Sequence, residues 1–285
     1  MKFCVIDTKY NNWWQGYRVA EAINSSLIEL GHESCIAENT DGIDEDSVLI
    51  VMSIRGLTFK KPWRGKIIAY NFHEVYSEPG KWIKKLKDRL NSNIKIHCWF
   101  DYSPLNREVF KRLGYKYIYT PIGYHEKFEL DIKKNDYDIG MIGAINIRRN
   151  KVVEILSRKY KVFVAKPAEG VTFDGYNEEA LGAKLHLHVN RRNLSNFPSP
   201  RIMMLCVPNK IPIISEKTDW SPLISGGHHY EVFSNNEELL RIVDRYVRNN
   251  SAREQMALRA YSYVRSEYKF IDILRSSLRD SLVLQ

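Results

Sequence analysis

The chain is poor in cysteine and has no long apolar run. Its four cysteines, Cys4, Cys35, Cys98 and Cys206, stand singly beside apolar residues with no C-x-x-C pair, which removes the usual nucleus of a zinc site. All four are expected to be buried, reduced thiols. No stretch of eighteen apolar residues occurs, so a membrane-crossing helix is excluded. Met1-Lys2-Phe3-Cys4-Val5-Ile6-Asp7 reads as a buried first strand rather than a signal peptide, because a charge ends the apolar run after four residues. The expectation is a soluble, cytoplasmic protein. There is no internal repeat and no low-complexity segment, which excludes a solenoid.

What the chain does have is a globular composition and a positive charge. At 285 residues, with 44% hydrophobic and 12% aromatic residues, it has room for two compact domains. The formal charge is +9. Most of the excess falls between Arg55 and Lys95, where eleven basic residues face three acids. Such a charge suits a polyanionic partner and says nothing about fold.

Hydrophobic patterning sets the fold class. Short β-rich runs at 3–6, 34–36, 48–52, 66–70, 94–100 and 115–120 alternate with helical periodicity, as in Val19, Ile23, Leu27 and Leu30 before a Gly31 cap. The segment 121–135 is polar and proline-bounded, and it reads as a linker. The pattern then restarts, with strands at 137–142, 161–165, 185–189 and 211–215 and helices at 150–160, from Pro200, at 236–248 and at 251–268. This predicts an α/β protein of two Rossmann-like domains whose parallel sheets face a central cleft, where ligands of such sheets bind. The expected boundaries are 1–125, 136–268 and a C-terminal helix at 269–285 packing back on the first domain.

Several motifs carry chemistry. Gly16 stands where the loop after the first strand opens a helix, a place where backbone N–H groups can meet an anion. In Tyr137-Asp138-Ile139-Gly140-Met141-Ile142-Gly143-Ala144-Ile145-Asn146-Ile147-Arg148-Arg149 a strand ends at a glycine and two arginines precede a helix. Backbone N–H groups and a guanidinium fork there can clasp a diphosphate. Arg201 stands at a second helix start, and Glu216 follows a strand. Asp7, His73 and Asp101 follow strands of the first half and are candidates for a general base, although a strand-end aspartate is often a cap. His228-His229 is a poor metal pair, because adjacent side chains diverge and no third ligand follows at ligand spacing. No bound metal is expected.

These segments resemble the GT-B glycosyltransferases, and the group containing spore-coat CgeB-like proteins in particular. The resemblance rests on Leu30-Gly31-His32, on 119–128 as the exit from the acceptor domain, on 137–149 as the opening of the donor domain, on Pro200-Arg201-Ile202-Met203-Met204 through Glu216, and on 226–239. It implies a sugar-nucleotide donor, UDP-linked, held by Gly16, Gly143, Arg148, Arg149, Lys166, Arg201 and Glu216, with no cofactor required. One departure stands out. The family's helix carries a glutamate for the ribose hydroxyls where this chain has Met203 or Met204, and Asn209-Lys210 replaces a glycine region, so Glu216 is the carboxylate that can compensate.

The acceptor is read from the basic segment. Lys81–Leu90 patterns as a basic amphipathic helix, and Phe59, Trp63, Tyr70, Phe72, Tyr76 and Trp82 lie among the charges. A solvated surface, an anionic membrane surface and a nucleic acid each account for this. The chain also resembles in outline the phage enzymes that glycosylate hydroxymethylated pyrimidines in DNA, and if phage-encoded it would act in the cytoplasm of a bacterial host. DNA is therefore the favoured acceptor, contacted by Lys60, Lys61, Arg64, Lys84 and Lys85. The alternatives are an envelope polysaccharide or lipid-linked glycan, and a non-catalytic binding module of the same fold.

Overall fold

The computed structural model describes residues 1–7, 16–52, 63–76, 79–80, 83–84, 94–165, 173–190, 197, 200–218 and 220–281. The chain divides into two compact units, Met1–Lys127 with Lys269–Gln285, and Phe128–Tyr268. Each unit is a parallel sheet with helices.

In the first unit six parallel strands, β1 (Lys2–Ile6), β2 (Glu33–Ala37), β3 (Val48–Val51), β4 (Ile67–Asn71), β5 (Cys98–Asp101) and β6 (Tyr117–Tyr119), lie in the order β2-β1-β3-β4-β5-β6. Every residue of β3, β4 and β5 is buried, as near-continuous apolar strands of a sheet covered on both faces should be. Helix α1 (Gly16–Glu29) buries Val19, Ala20, Ile23 and Leu27. It ends where Gly31 takes φ +83° and His32 N–H reaches back to Leu27 O at 3.0 Å, a turn that L side chains resist. A short helix α2 (Arg107–Arg112) follows β5. The unit is completed from the far end of the sequence by α7 (Phe270–Asp280), which buries Phe270, Leu274 and Leu278. Polar contacts fix it: Thr120 Oγ1 donates to Ser277 Oγ at 2.9 Å, and His97 Nε2 meets Ser281 O at 2.9 Å.

The second unit has the order β11-β10-β9-β7-β8, again all parallel, with β7 (Ile139–Ile142), β8 (Val162–Ala165), β9 (Leu185–His188), β10 (Ile213–Glu216) and β11 (Glu231–Phe233). Helices α3 (Ile147–Ser157), α4 (Phe173–Gly182), α5 (Asn236–Arg248) and α6 (Asn250–Glu267) connect or follow them. One face of the sheet packs Ile139, Met141, Leu185, Leu187, Val189 and Ile214 against apolar residues of α3 and α5. Asparagines start three of the helices, with Asn146, Asn235 and Asn249 accepting from the N–H of Arg149, Glu238 and Ala252.

Three sequence expectations change. Cys35 is exposed, because β2 is the edge strand of its sheet and two faces of burial are not available to it. The helix expected from Pro200 is a wide, π-type turn at Ile202–Cys206, with every side chain of it buried. Helices α2 and α4 carry no clear periodicity in the sequence and were not anticipated by it. The expected amphipathic helix at Lys81–Leu90 lies almost wholly outside the described residues.

Lys210 occupies the turn after Ile202–Cys206 with φ +53°, where a glycine is ordinarily more comfortable. Asn209 holds that turn by accepting from Leu130 N–H at 2.6 Å and donating to Phe128 O and Leu205 O at 2.9 Å. On β7, a Cβ built at Gly140 would lie 1.7 Å from the carbonyl oxygen of Ala180 in α4. Gly140→Ala must push helix from strand, and we expect a loss of about 2–3 kcal/mol in chemical denaturation; an unchanged midpoint would contradict this packing.

Candidate active site

In the second unit β7 leads to β8 on one side and β9 returns on the other, so the connections reverse direction between β7 and β9. Ligands of open α/β sheets bind outside the strand carboxyl ends at such a point. Gly143 is the first residue past β7 there, with φ +127°. A Cβ on it would stand 2.5 Å from Arg201 Nη1 and 3.3 Å from Arg149 Nη1. The glycine is thus wedged between two guanidinium groups.

The two arginines differ in duty. Arg149 is 6% exposed, and its Nε donates to Val189 O at 2.9 Å while Nη1 donates to Ala144 O at 2.8 Å. It ties the end of β9 to the loop after β7. Arg201 is half-buried and donates through Nη1 to Ile142 O, the last carbonyl of β7.

Arg148 turns elsewhere. Its guanidinium forms a two-point ion pair with Glu216 at the end of β10, Nη1 to Oε2 at 2.7 Å and Nη2 to Oε1. Nη1 also donates to Asn190 O at 2.8 Å, and Asn190 N–H donates to Glu216 Oε2 at 2.9 Å. Asn190, which follows β9 and was not singled out in the sequence, therefore completes the ring. Met203 and Met204 are 1% and 0% exposed within the apolar turn, so neither can be replaced there in function by a rim carboxylate without opening the core.

Under Arg201, His186 and His188 line one face of β9. Burial, with Arg201 adding to it, pushes His186 down to about 3 and His188 well below the usual histidine range. Both imidazoles are neutral at physiological pH, and the guanidinium groups carry the local charge.

In the first unit, Asp101 ends β5 and is fully buried. It accepts from Asn71 Nδ2 at 2.7 Å, Ser103 N–H at 2.7 Å and Asn106 Nδ2 at 3.0 Å. Asn106 in turn accepts from Val75 and Tyr76 N–H and, like Asn71, donates to His73 O. Asp101 is the centre of a polar knot that fixes two loops. His73 is exposed with its backbone held by that knot, whereas Asp7 is half-buried past β1 with its N–H donating to Ala37 O at 2.9 Å.

The other expected residues are placed as follows. Gly16 begins α1. Arg64 is exposed and faces Glu45 at 3.3 Å and Asp46 at 3.7 Å, which offset its charge, and Lys84 is exposed. Lys60, Lys61, Lys85 and Lys166 lie outside the described residues. His229 accepts from Ser225 N–H at 3.0 Å and stacks on Tyr263, and among the described residues no group of three metal-binding side chains occurs.

Residues 141–278 match the family model described as Glycosyl transferase-like. The whole chain aligns with the whole of a DNA modifying β-glucosyltransferase, TM-score 0.65 at 13% identity, and with the whole of Anabaena Alr3699/HepE crystallised with UDP and glucose, TM-score 0.60 at 10% identity. It also covers 57% of TarM with 91% of its own length, TM-score 0.56 at 12% identity. No curated protein matches. The chain has the GT-B fold, and the family match spans 141–278, most of it in the second unit.

For this GT-B chain the knot around Asp101 makes a testable statement. Burial pushes the Asp101 carboxyl up to about 8, against the pull of Asn71, Ser103 and Asn106. An unfolded aspartate titrates near ~3.9, so between about pH 4 and 8 the folded chain holds a proton that the unfolded chain has lost, and stability falls as pH rises through that window. Thermal melts from pH 5 to 8 should therefore show a decline in the wild type that Asp101→Asn lacks. Parallel profiles for the two proteins would show that Asp101 does not titrate there.

Proposed function

We propose that this enzyme transfers the sugar of a UDP-sugar to the hydroxyl of a 5-hydroxymethylated pyrimidine in DNA, with the second unit holding the donor and the first the acceptor. The observation that carries the donor half is Gly143 between the Arg201 and Arg149 guanidinium groups at the carboxyl end of β7, inside the family-matched region. Guanidinium groups gathered at a glycine loop past a strand end suit a diphosphate and would stabilise the charge that develops as it leaves.

The reaction joins the acceptor oxygen to the anomeric carbon as the bond from that carbon to the UDP oxygen breaks. The hydroxyl proton passes to a base, for which exposed His73 and half-buried Asp7 are the accessible candidates in the first unit. Asp101 then serves to position His73 through the loop it pins. The basic stretch between Arg55 and Lys95, including Lys60, Lys61, Lys84 and Lys85, supports a phosphate-rich acceptor, and so does the full-length likeness to a DNA modifying enzyme. Arg64 contributes less, since Glu45 and Asp46 face it.

A glycan acceptor is the second reading. It is favoured by the likeness to TarM, which has been crystallised with fondaparinux, α-GlcNAc-glycerol and UDP.

Mass spectrometry of DNA containing 5-hydroxymethylated pyrimidines, incubated with the enzyme and UDP-sugars, decides between them. A hexose or pentose mass on the modified base is expected. UDP release with unchanged DNA, rising on addition of glycans, would shift the acceptor to the second reading. On the donor side, UDP should raise the melting temperature of the wild type and not that of Arg201→Ala; no shift with any nucleoside diphosphate would contradict the donor assignment.

A further inference from the structure

The ring formed by Arg148, Glu216 and Asn190 has a consequence for donor binding, given the function proposed above. Arg148 stands one residue into α3, next to the Gly143 loop, and both of its terminal nitrogens point at one carboxylate. Its side chain is 37% exposed and that of Glu216 is 16% exposed, so an incoming ligand can reach the arginine while the carboxylate sits beneath it. An arginine bound at two points to a carboxylate presents little net charge to an anion. Glu216 in the same state has both oxygens occupied, by Arg148 and by Asn190 N–H. A carboxylate saturated in this way has poor geometry left for a sugar diol.

The position that would otherwise supply a carboxylate is closed, because Met203 and Met204 are both buried and apolar. We propose that the Arg148–Glu216 pair is the resting form of an exchange device: the diphosphate of the donor draws Arg148 away from Glu216, and the freed carboxylate takes the ribose hydroxyls. One ion pair becomes two new sets of hydrogen bonds, and each ligand group is recognised only when the other is present. Asn190 makes the exchange reversible. Its N–H holds Glu216 at the end of β10 throughout, so the carboxylate keeps its place when the arginine leaves, and its carbonyl is the acceptor to which Arg148 returns.

The device predicts coupling between parts of the ligand that do not touch. Without the ribose, pyrophosphate must break the pair and gains nothing at Glu216, so it should bind the wild type weakly. Glu216→Gln keeps an oxygen for Asn190 N–H while removing the charge that holds Arg148, and it should bind pyrophosphate about tenfold more tightly, the size of effect expected for releasing one half-buried pair. In Arg148→Ala/Glu216→Gln that gain should vanish. For UDP the same Glu216→Gln change should give no such gain, and deleting the 2′- and 3′-hydroxyls of UDP should weaken binding to the wild type more than to the variant.

Titration calorimetry of the full chain with pyrophosphate, UDP and 2′,3′-dideoxy-UDP reads all of these. If Glu216→Gln binds pyrophosphate no more tightly than the wild type, or if the gain persists without Arg148, the exchange is wrong while UDP binding still stands. If the wild type binds neither UDP nor pyrophosphate, the donor assignment falls and the exchange with it. Should the variant fold poorly, the wild type alone suffices: the ¹⁵N guanidinium resonance of Arg148 must move on saturation with UDP, and a signal left in place overturns the proposal.

Discussion

The loop after β7 has its observed form because residue 143 has no side chain. With φ at +127° and the Arg201 guanidinium 2.5 Å from where a Cβ would lie, only glycine fits. Arg201 reaches the Ile142 carbonyl through that space, and Arg149 reaches Ala144 and Val189 beside it. The end of β7 is thereby tied to that of β9, and the start of α3 is set so that Arg148 meets Glu216 at the end of β10. Three strand ends are organised around one absent methyl group.

The first unit solves a similar problem by other means. Its polar centre, Asp101, also sits at the carboxyl end of a parallel strand, but it gathers donors from Asn71, Ser103 and Asn106 instead of opening toward solvent. A buried carboxylate without such donors would be costly. The knot thus turns a liability into a fixed geometry for the loop that presents His73. In both units the residues that do not meet a ligand set the positions of those that can, and the asparagines, Asn71, Asn106, Asn146, Asn190 and Asn209, do much of this work because each offers donor and acceptor together.

Much of the fold is visible in the sequence, for a physical reason. Strands buried on both faces must be apolar throughout, so β3, β4, β5 and β7 stand out as short unbroken runs, and the asparagines before α3, α5 and α6 mark helix starts. Helices α2 and α4 are hidden because one has six residues and the other contains Gly175 and Asn177, poor helix formers carried by tertiary packing. Edge or centre cannot be read from a strand alone, so the exposure of Cys35 on the edge strand β2 is not visible in the sequence. At the site, the glycine after a strand and the arginines before a helix were readable as a pattern. What each arginine binds was not. Arg148 finds Glu216 68 residues away and Arg149 finds Val189 40 residues away, distances that no local spacing encodes, and the bond from Asn71 to Asp101, 30 residues on, is hidden in the same way.

Everything proposed for the donor requires that its diphosphate bind at the carboxyl end of β7. A crystal structure of the full chain with UDP tests this directly. It should show the diphosphate against the backbone N–H groups of the Gly143 loop and within hydrogen-bonding distance of Arg201, whereas a diphosphate seated elsewhere, with the Gly143 loop unoccupied, would contradict it.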